Sequence, residues 1–304
     1  MDLPHHTSPP TAAARTDLAR GIGLVAGSAI VWSFGGVIAR FLSVTDSWTI
    51  VFWRSVFAAA FLLAFMLVRD GVKGTAALLS GIGPAGLGVA LCFTLGSTSF
   101  VVALAHTTVA NILLMQAASP LIAALITWAL FGERISASTW VAIVAVIVGI
   151  AVMVSGSFTG RLSLVGDGLA LAISVSMAVA AVITRRHAHV RMTPAVFLAM
   201  VIAGCVSAVM TLPQWVAPMD FALLFAFGAL NLGLGLALFV TGARLIPAAL
   251  AGLVGTIEPV LGPLWVWLVH DETPGTRTLV GGALVIAALL AHLLFERSRQ
   301  TRQT

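Results

Sequence analysis

The chain has 304 residues, 60% hydrophobic and 9% charged, with a formal net charge of +5 and a mean hydropathy of +1.07. A water-soluble domain carries roughly 25% charged residues, so this composition excludes a soluble globular protein and makes lipid the solvent for most of the surface. The basic excess does not indicate nucleic acid as a partner, because Lys73 is the single lysine and no basic stripe with interleaved aromatics occurs.

In chain order, residues 1–19 are polar and include His5 and His6. They read as a disordered cytoplasmic tail, too polar for a signal-peptide core. Ten apolar runs follow, at about 21–39, 48–68, 77–104, 108–130, 137–154, 167–184, 194–211, 221–241, 247–269 and 277–295. Most approach the ~20 residues a helix needs to cross the hydrocarbon core. Short links separate them, punctuated by Asp46, Arg69–Asp70–Gly71, Gly132–Glu133–Arg134, Arg185–Arg186, Pro218 and Pro274–Gly275. Residues 298–304 form a second cytoplasmic tail.

Basic residues orient the runs. With both termini in the cytoplasm, that side holds twelve: Arg15, Arg20, Arg69, Lys73, Arg134, Arg185, Arg186, Arg191, Arg244, Arg297, Arg299 and Arg302. The opposite side holds three, Arg40, Arg161 and Arg277. Basic segments at both ends of the chain also fit an even number of passes.

Residues 90–152 repeat as 229–291 at a constant offset of 139 without a gap. Leu91, Leu95, Gly96, Phe100, Pro120, Leu125, Trp128, Glu133 and Thr139 recur as Leu230, Leu234, Gly235, Phe239, Pro259, Leu264, Trp267, Glu272 and Thr278. Leucine matches are cheap in an apolar chain, but a Pro, a Trp and a Glu in fixed register are not. The expected architecture is an all-α membrane protein of ten transmembrane helices, in two five-helix repeats spanning 20–155 and 166–297. Five is odd, so the second repeat enters the membrane from the other side and the repeats are inverted. Such transporters place their substrate near the midplane, between the halves.

Two stretches, Ser119-Pro-Leu-Ile-Ala-Ala-Leu-Ile-Thr-Trp-Ala-Leu-Phe-Gly-Glu-Arg-Ile-Ser136 and Glu258-Pro-Val-Leu-Gly-Pro-Leu-Trp-Val-Trp-Leu-Val-His-Asp-Glu-Thr-Pro274, together with the Trp53-Arg54-Ser55 step, resemble the EamA family of the drug/metabolite transporter superfamily. His270–Asp271 departs from the Leu-Gly usual in that family. The resemblance, which covers residues 20–295, implies a ten-helix secondary transporter of the bacterial inner membrane that exports amino acids or related small metabolites. Another metabolite, a nucleobase or a drug is the alternative cargo, since the family's fold does not choose a substrate. A membrane enzyme or a receptor-like subunit is the rival class.

Glu258, near the middle of the ninth run, is a candidate for proton coupling or for binding a substrate amine, because an acid at that depth is costly. Its structural alternative is to satisfy backbone freed by Pro259. Arg54 either snorkels or pairs near the outer headgroups, or binds a substrate carboxylate. Asn111, Gln116 and Asn231 either read a zwitterion or join helices. Trp32, the one Trp near mid-span, is the aromatic cavity candidate; the other seven fall near span ends, where an aromatic belt is expected. Pro120 and Pro259 occupy equivalent sites and read as paired hinges or gates, or as static bends. Gly23 and Gly27 suggest a small-xxx-small packing step. His106 is expected to be exposed, and Cys92 and Cys205 to be buried, inert thiols.

No P-loop, His-Glu-x-x-His or Gly-x-Ser-x-Gly motif occurs, and no lysine lies inside a run. ATP hydrolysis, metalloprotease, hydrolase and retinal chemistries therefore lack support. No cofactor or metal is expected. The expected partners are a small-molecule substrate, the lipid bilayer and, as a candidate coupling ion, the proton.

Overall fold

Inside lipid each backbone N–H and C=O must find a partner within the chain, which leaves helices as the available answer for runs this apolar. The computed structural model describes residues 12–132, 136–155, 163–187, 190–212, 215–246, 251 and 254–303. Among these residues every regular element is a helix. The N-terminal half comprises α1 (Ala12–Ser33), α2 (Gly35–Phe41), α3 (Ser47–Ser80), α4 (Gly83–Ala103), α5 (Val109–Gln116), α6 (Ser119–Phe131) and α7 (Ala137–Ser155). The C-terminal half comprises α8 (Leu164–Arg186), α9 (Thr193–Met210), α10 (Pro218–Phe225), a π-helical stretch (Ala226–Leu234), α11 (Gly235–Gly242), α12 (Ile257–His270) and α13 (Thr276–Gln303).

Seven segments among the described residues are long and apolar enough to cross a membrane: Thr16–Phe41, Ser47–Ser80, Gly83–Ala103, Val109–Phe131, Leu164–Arg186, Thr193–Met210 and Pro218–Gly242. Thr139–Ser155 and Thr276–His292 are shorter apolar helices. The outward faces are those of a protein dissolved in lipid. On α7, Val141, Val144, Ile147 and Val148 form an exposed apolar stripe, whereas Ala142, Ile143 and Val146 are buried against α13 residues such as Val285 and Leu289.

Local rules place the ends. Asp46 caps α3 by accepting from the Trp48 and Thr49 N–H groups and from the Thr49 hydroxyl. Burial works against its charge, but the Thr49 hydroxyl and those two amides together outweigh it and hold the carboxyl below its ordinary range. Gly71 (φ 68°, ψ 175°) kinks α3, a conformation open to glycine and strained for other residues. Residues 72–80 therefore form a separate helical arm. They were expected to be a link followed by the start of the third apolar run. Gly132, at φ 64°, ends α6 in the left-handed conformation.

Several expectations need correction. Helix α1 begins at Ala12, inside the segment expected to be a disordered tail, and α13 runs on to Gln303; His5, His6, Glu133, Arg134 and Arg161 lie outside the described residues. Gly23 is not a packing step, since a Cβ there meets nothing. The close α1–α11 approach lies at Gly21 and Gly242, where a Cβ on Gly242 would sit 2.9 Å from the Gly21 carbonyl. Cys205 is exposed on α9 and Cys92 is half-buried, and both are free. Trp265 does not belong to an aromatic belt. It stacks on Phe34 (centroids 5.3 Å, 7°) and donates to Ser33 Oγ at 3.0 Å, joining α12 to α1.

Candidate functional site

Three helix breaks flank one region of the described residues. The first helix breaks at Phe34 (ψ −9°). The second break falls at Ala117–Ala118, where Ala118 N–H turns back to the Met115 carbonyl (3.1 Å) and Leu121 N–H to the Ala118 carbonyl (3.0 Å). The third is at Thr256, just ahead of α12. Positions 117 and 256 are related by the offset of the sequence repeat. Helix breaks at membrane depth are tolerated where the freed backbone is buried in protein or lines a cavity.

Pro120 and Pro259 take a different place from the one expected. Neither interrupts a helix midway. Pro120 lies in the first turn of α6 and Pro259 in the first turn of α12, where a missing N–H forfeits no helical bond. The proline inside a helix is Pro263.

A cavity of about 120 Å³ lies where the breaks converge. Its polar wall is Arg54, Ser97, Gln116, Asn231 and Glu258, and Trp32, Phe93, Phe100, Ile173, Met177, Leu232 and Leu236 supply the apolar wall. Four of the sequence-chosen candidates, Trp32, Gln116, Asn231 and Glu258, thus come together from α1, α5, the π-helical stretch and α12.

Arg54 does not snorkel. Its side chain is buried, Nη1 donates to Ser97 Oγ at 2.8 Å, and the guanidinium carbon lies 4.2 Å from the Phe227 ring centroid and 5.7 Å from that of Phe100. Cation–π contact offsets part of the desolvation, but Nε has no hydrogen-bond partner among the described residues. A position one and a half turns into its run reads as shallow, but Arg54 stands seven residues into α3, roughly 10 Å along the axis at 1.5 Å per residue.

Glu258 is half-buried, in the first turn of α12, where a carboxylate meets the positive end of the helix dipole. Among the described residues it accepts no backbone hydrogen bond and forms no ion pair, so the structural alternative of capping freed backbone is not what the geometry contains. Trp32 packs against Phe239 (5.5 Å), and its buried Nε1 has no partner. Gly235 makes its place: a Cβ there would lie 2.2 Å from Trp32 Nε1. Asn231 touches the cavity but has a clear structural task, donating through Nδ2 to the Val31 carbonyl (2.5 Å) and the Trp32 carbonyl (3.3 Å) at the break in the first helix. The wider π-helical winding carries it there; such turns recur at functional sites.

Asn111 is not in the cavity. It is fully buried and donates to Asp167 Oδ1 (2.5 Å) and Thr107 Oγ1 (3.2 Å), tying α5 to α8. It has the helix-joining role. Sequence reading passed over Asp167 because it sits at the head of a run, where charge is ordinary.

Polar ties cross between the halves at one end of the molecule. Arg40 Nε–H donates to Glu272 Oε2 at 2.7 Å, and the other guanidinium nitrogens donate to the Leu104 carbonyl (2.8 Å) and the Thr107 carbonyl (3.2 Å). Glu272 Oε1 accepts the Val109 N–H at 2.8 Å. Asp220 accepts from the backbone N–H (2.9 Å) and hydroxyl (2.5 Å) of Ser43. Glu272 stood out in the sequence as a repeated acid; its partners, far away in the chain, did not. His106 is exposed, as expected.

The sequence profile of the EamA-like transporter family matches residues 19–155 and 164–294. Two relatives, both named pseudopaline exporter CntI, come from Pseudomonas aeruginosa strains UCBPP-PA14 and PAO1. Each is 26% identical over 249 residues, covering 80% of this chain and 84% of the relative. A solved structure described as the crystal structure of a protein shares the fold, with a TM-score of 0.66 and 18% identity over 91% of this chain and 98% of the other.

Proposed function

Because the chain belongs to the EamA-like transporter family, an integral membrane protein for a small-molecule substrate, we propose that it is a secondary transporter exporting amino acids or related small organic metabolites across the bacterial inner membrane by alternating access. The observation that carries this reading is the cavity itself. It sits where three broken helices meet and brings a buried cation, an acid and three aromatic side chains to one space. The relatives named as exporters support the direction of transport.

The seven long segments, the two shorter apolar helices and α12 supply the ten passes. The packing supports an inverted repeat. Exchanging each pass for the one five later sends the α4–α8 contact to α11–α1, α4–α9 to the π-helical stretch on α3, and α5–α8 to α12–α1. The α3–α9, α5–α12 and α7–α13 contacts map onto themselves. A two-fold axis relating the halves produces this pattern, and five passes per half, an odd number, favour an axis in the membrane plane. The basic residues put the end bearing Arg40 and Glu272 on the periplasmic side, and the ties there act as the closed gate of this state. The breaks at Ala117–Ala118 and Thr256, followed by Pro120 and Pro259, are the pair of hinges about which the half-helices tilt.

Glu258 carries the coupling proton and, in turn, the substrate amine. Counterflow in proteoliposomes of the purified protein, with a panel of amino acids and other metabolites and with or without a proton gradient, tests the assignment. Trans-stimulated flux of at least one amino acid is expected, and its absence for the whole panel in both directions removes the reading.

A further inference from the structure

Resting on the transporter reading, we propose that Arg54 determines specificity in the cavity: its guanidinium binds a carboxylate of the cargo, so the protein selects amino-carboxylates over amines and carboxamides of the same size.

Arg54 carries five N–H donors and accepts nothing. One nitrogen donates to Ser97 Oγ, and the Phe227 and Phe100 rings take up the guanidinium's flanks. The buried Nε has no partner. An unmet donor on a cation calls for an acceptor with several lone pairs, because a buried donor left unpaired costs free energy that a ligand acceptor recovers. A carboxylate offers about four lone-pair sites. Neither Asn231 nor Glu258 meets this demand. The Asn231 amide is engaged with the Val31 and Trp32 carbonyls, Asn111 lies elsewhere, and Glu258 forms no ion pair with Arg54 within 4.0 Å. A cargo with only an amine satisfies Glu258 but leaves the Arg54 donor unmet and sets like charge near Arg54. A cargo with an amine and a carboxylate satisfies both ends of the cavity.

The test uses full-length protein in proteoliposomes and counterflow of radiolabelled L-leucine, L-methionine and L-phenylalanine, each beside its carboxamide. The wild type is expected to prefer the amino acid by roughly tenfold to a hundredfold in kcat/KM, the worth of one charge-assisted hydrogen bond. Arg54→Gln is expected to raise the amino-acid KM by about tenfold or more and to erase the preference, and Arg54→Lys to retain part of it, because a point charge replaces a planar fork. The wild-type comparison needs no mutant to fold. Equal handling of acid and amide by the wild type, or transport of carboxamides alone, overturns the role of Arg54 and leaves the transporter reading standing. So does an unchanged preference in Arg54→Gln. If none of the six probes moves, this proposal falls together with the amino-acid reading.

Discussion

Glu272→Gln tests the gate. Glu272 holds two charge-assisted contacts, from Arg40 Nε at 2.7 Å and from Val109 N–H at 2.8 Å. Gln keeps the shape and one acceptor oxygen, loses the charge, and can retain one of the two bonds. Hydrogen bonds to charged groups are worth about 1.5–3 kcal/mol, whereas exposed ion pairs approach 0–1 kcal/mol. With side-chain exposures of 29% for Arg40 and 19% for Glu272, the substitution loses an intermediate ~1.4 kcal/mol, about tenfold in an equilibrium constant. If these contacts exist in the closed state alone, the open population rises by that factor. The assay places a cysteine at the cavity wall, Gln116→Cys, in a Cys92→Ala, Cys205→Ala background. Its alkylation by a membrane-impermeant reagent is timed in right-side-out and inside-out vesicles. Labelling from the Arg40 face should accelerate roughly tenfold, with no gain from the opposite face. An unchanged rate, or a gain from the opposite face, refutes the gate.

Glu258→Gln should abolish the pH dependence of net flux while sparing counterflow exchange, measured in proteoliposomes across a pH series; unchanged pH dependence removes Glu258 as the coupling site. Gly235→Ala drives a Cβ to 2.2 Å from Trp32 Nε1; overpacking of this kind costs about 1–3 kcal/mol and moves the indole, so thermal stability in detergent should fall and the substrate KM should rise together. Asp46→Ala removes the α3 cap and should cost about 1 kcal/mol. Because folding lowers the Asp46 pKa, that contribution is full above the unfolded value of about 3.9 and is lost as pH falls through the folded one. Wild type and variant should therefore differ by the same amount from pH 5 to 8 and converge below about pH 4.

The sequence alone was enough for the class, the long apolar helices and the family, because lipid enforces a composition and a run length that can be read one residue at a time. The 139-residue offset likewise exposed the duplication, and Trp32, Gln116 and Glu258 stood out because polar or bulky groups at mid-span are rare. The sequence left two roles open for both Arg54 and Asn111, because membrane depth says how far a side chain sits from water but not which neighbour it faces. Asn111 meets Asp167, 56 residues away, Glu272 meets Arg40 across 232 residues, and Arg54 lies between rings from α4 and the π-helical stretch. Helix breaks were equally hidden. Pro120 advertised a bend, but the chain turns at Ala117–Ala118, where packing in the buried interior decides which backbone bonds are kept. Only the tertiary structure brings together side chains that the sequence keeps apart, and the cavity's charge pattern exists only in that arrangement.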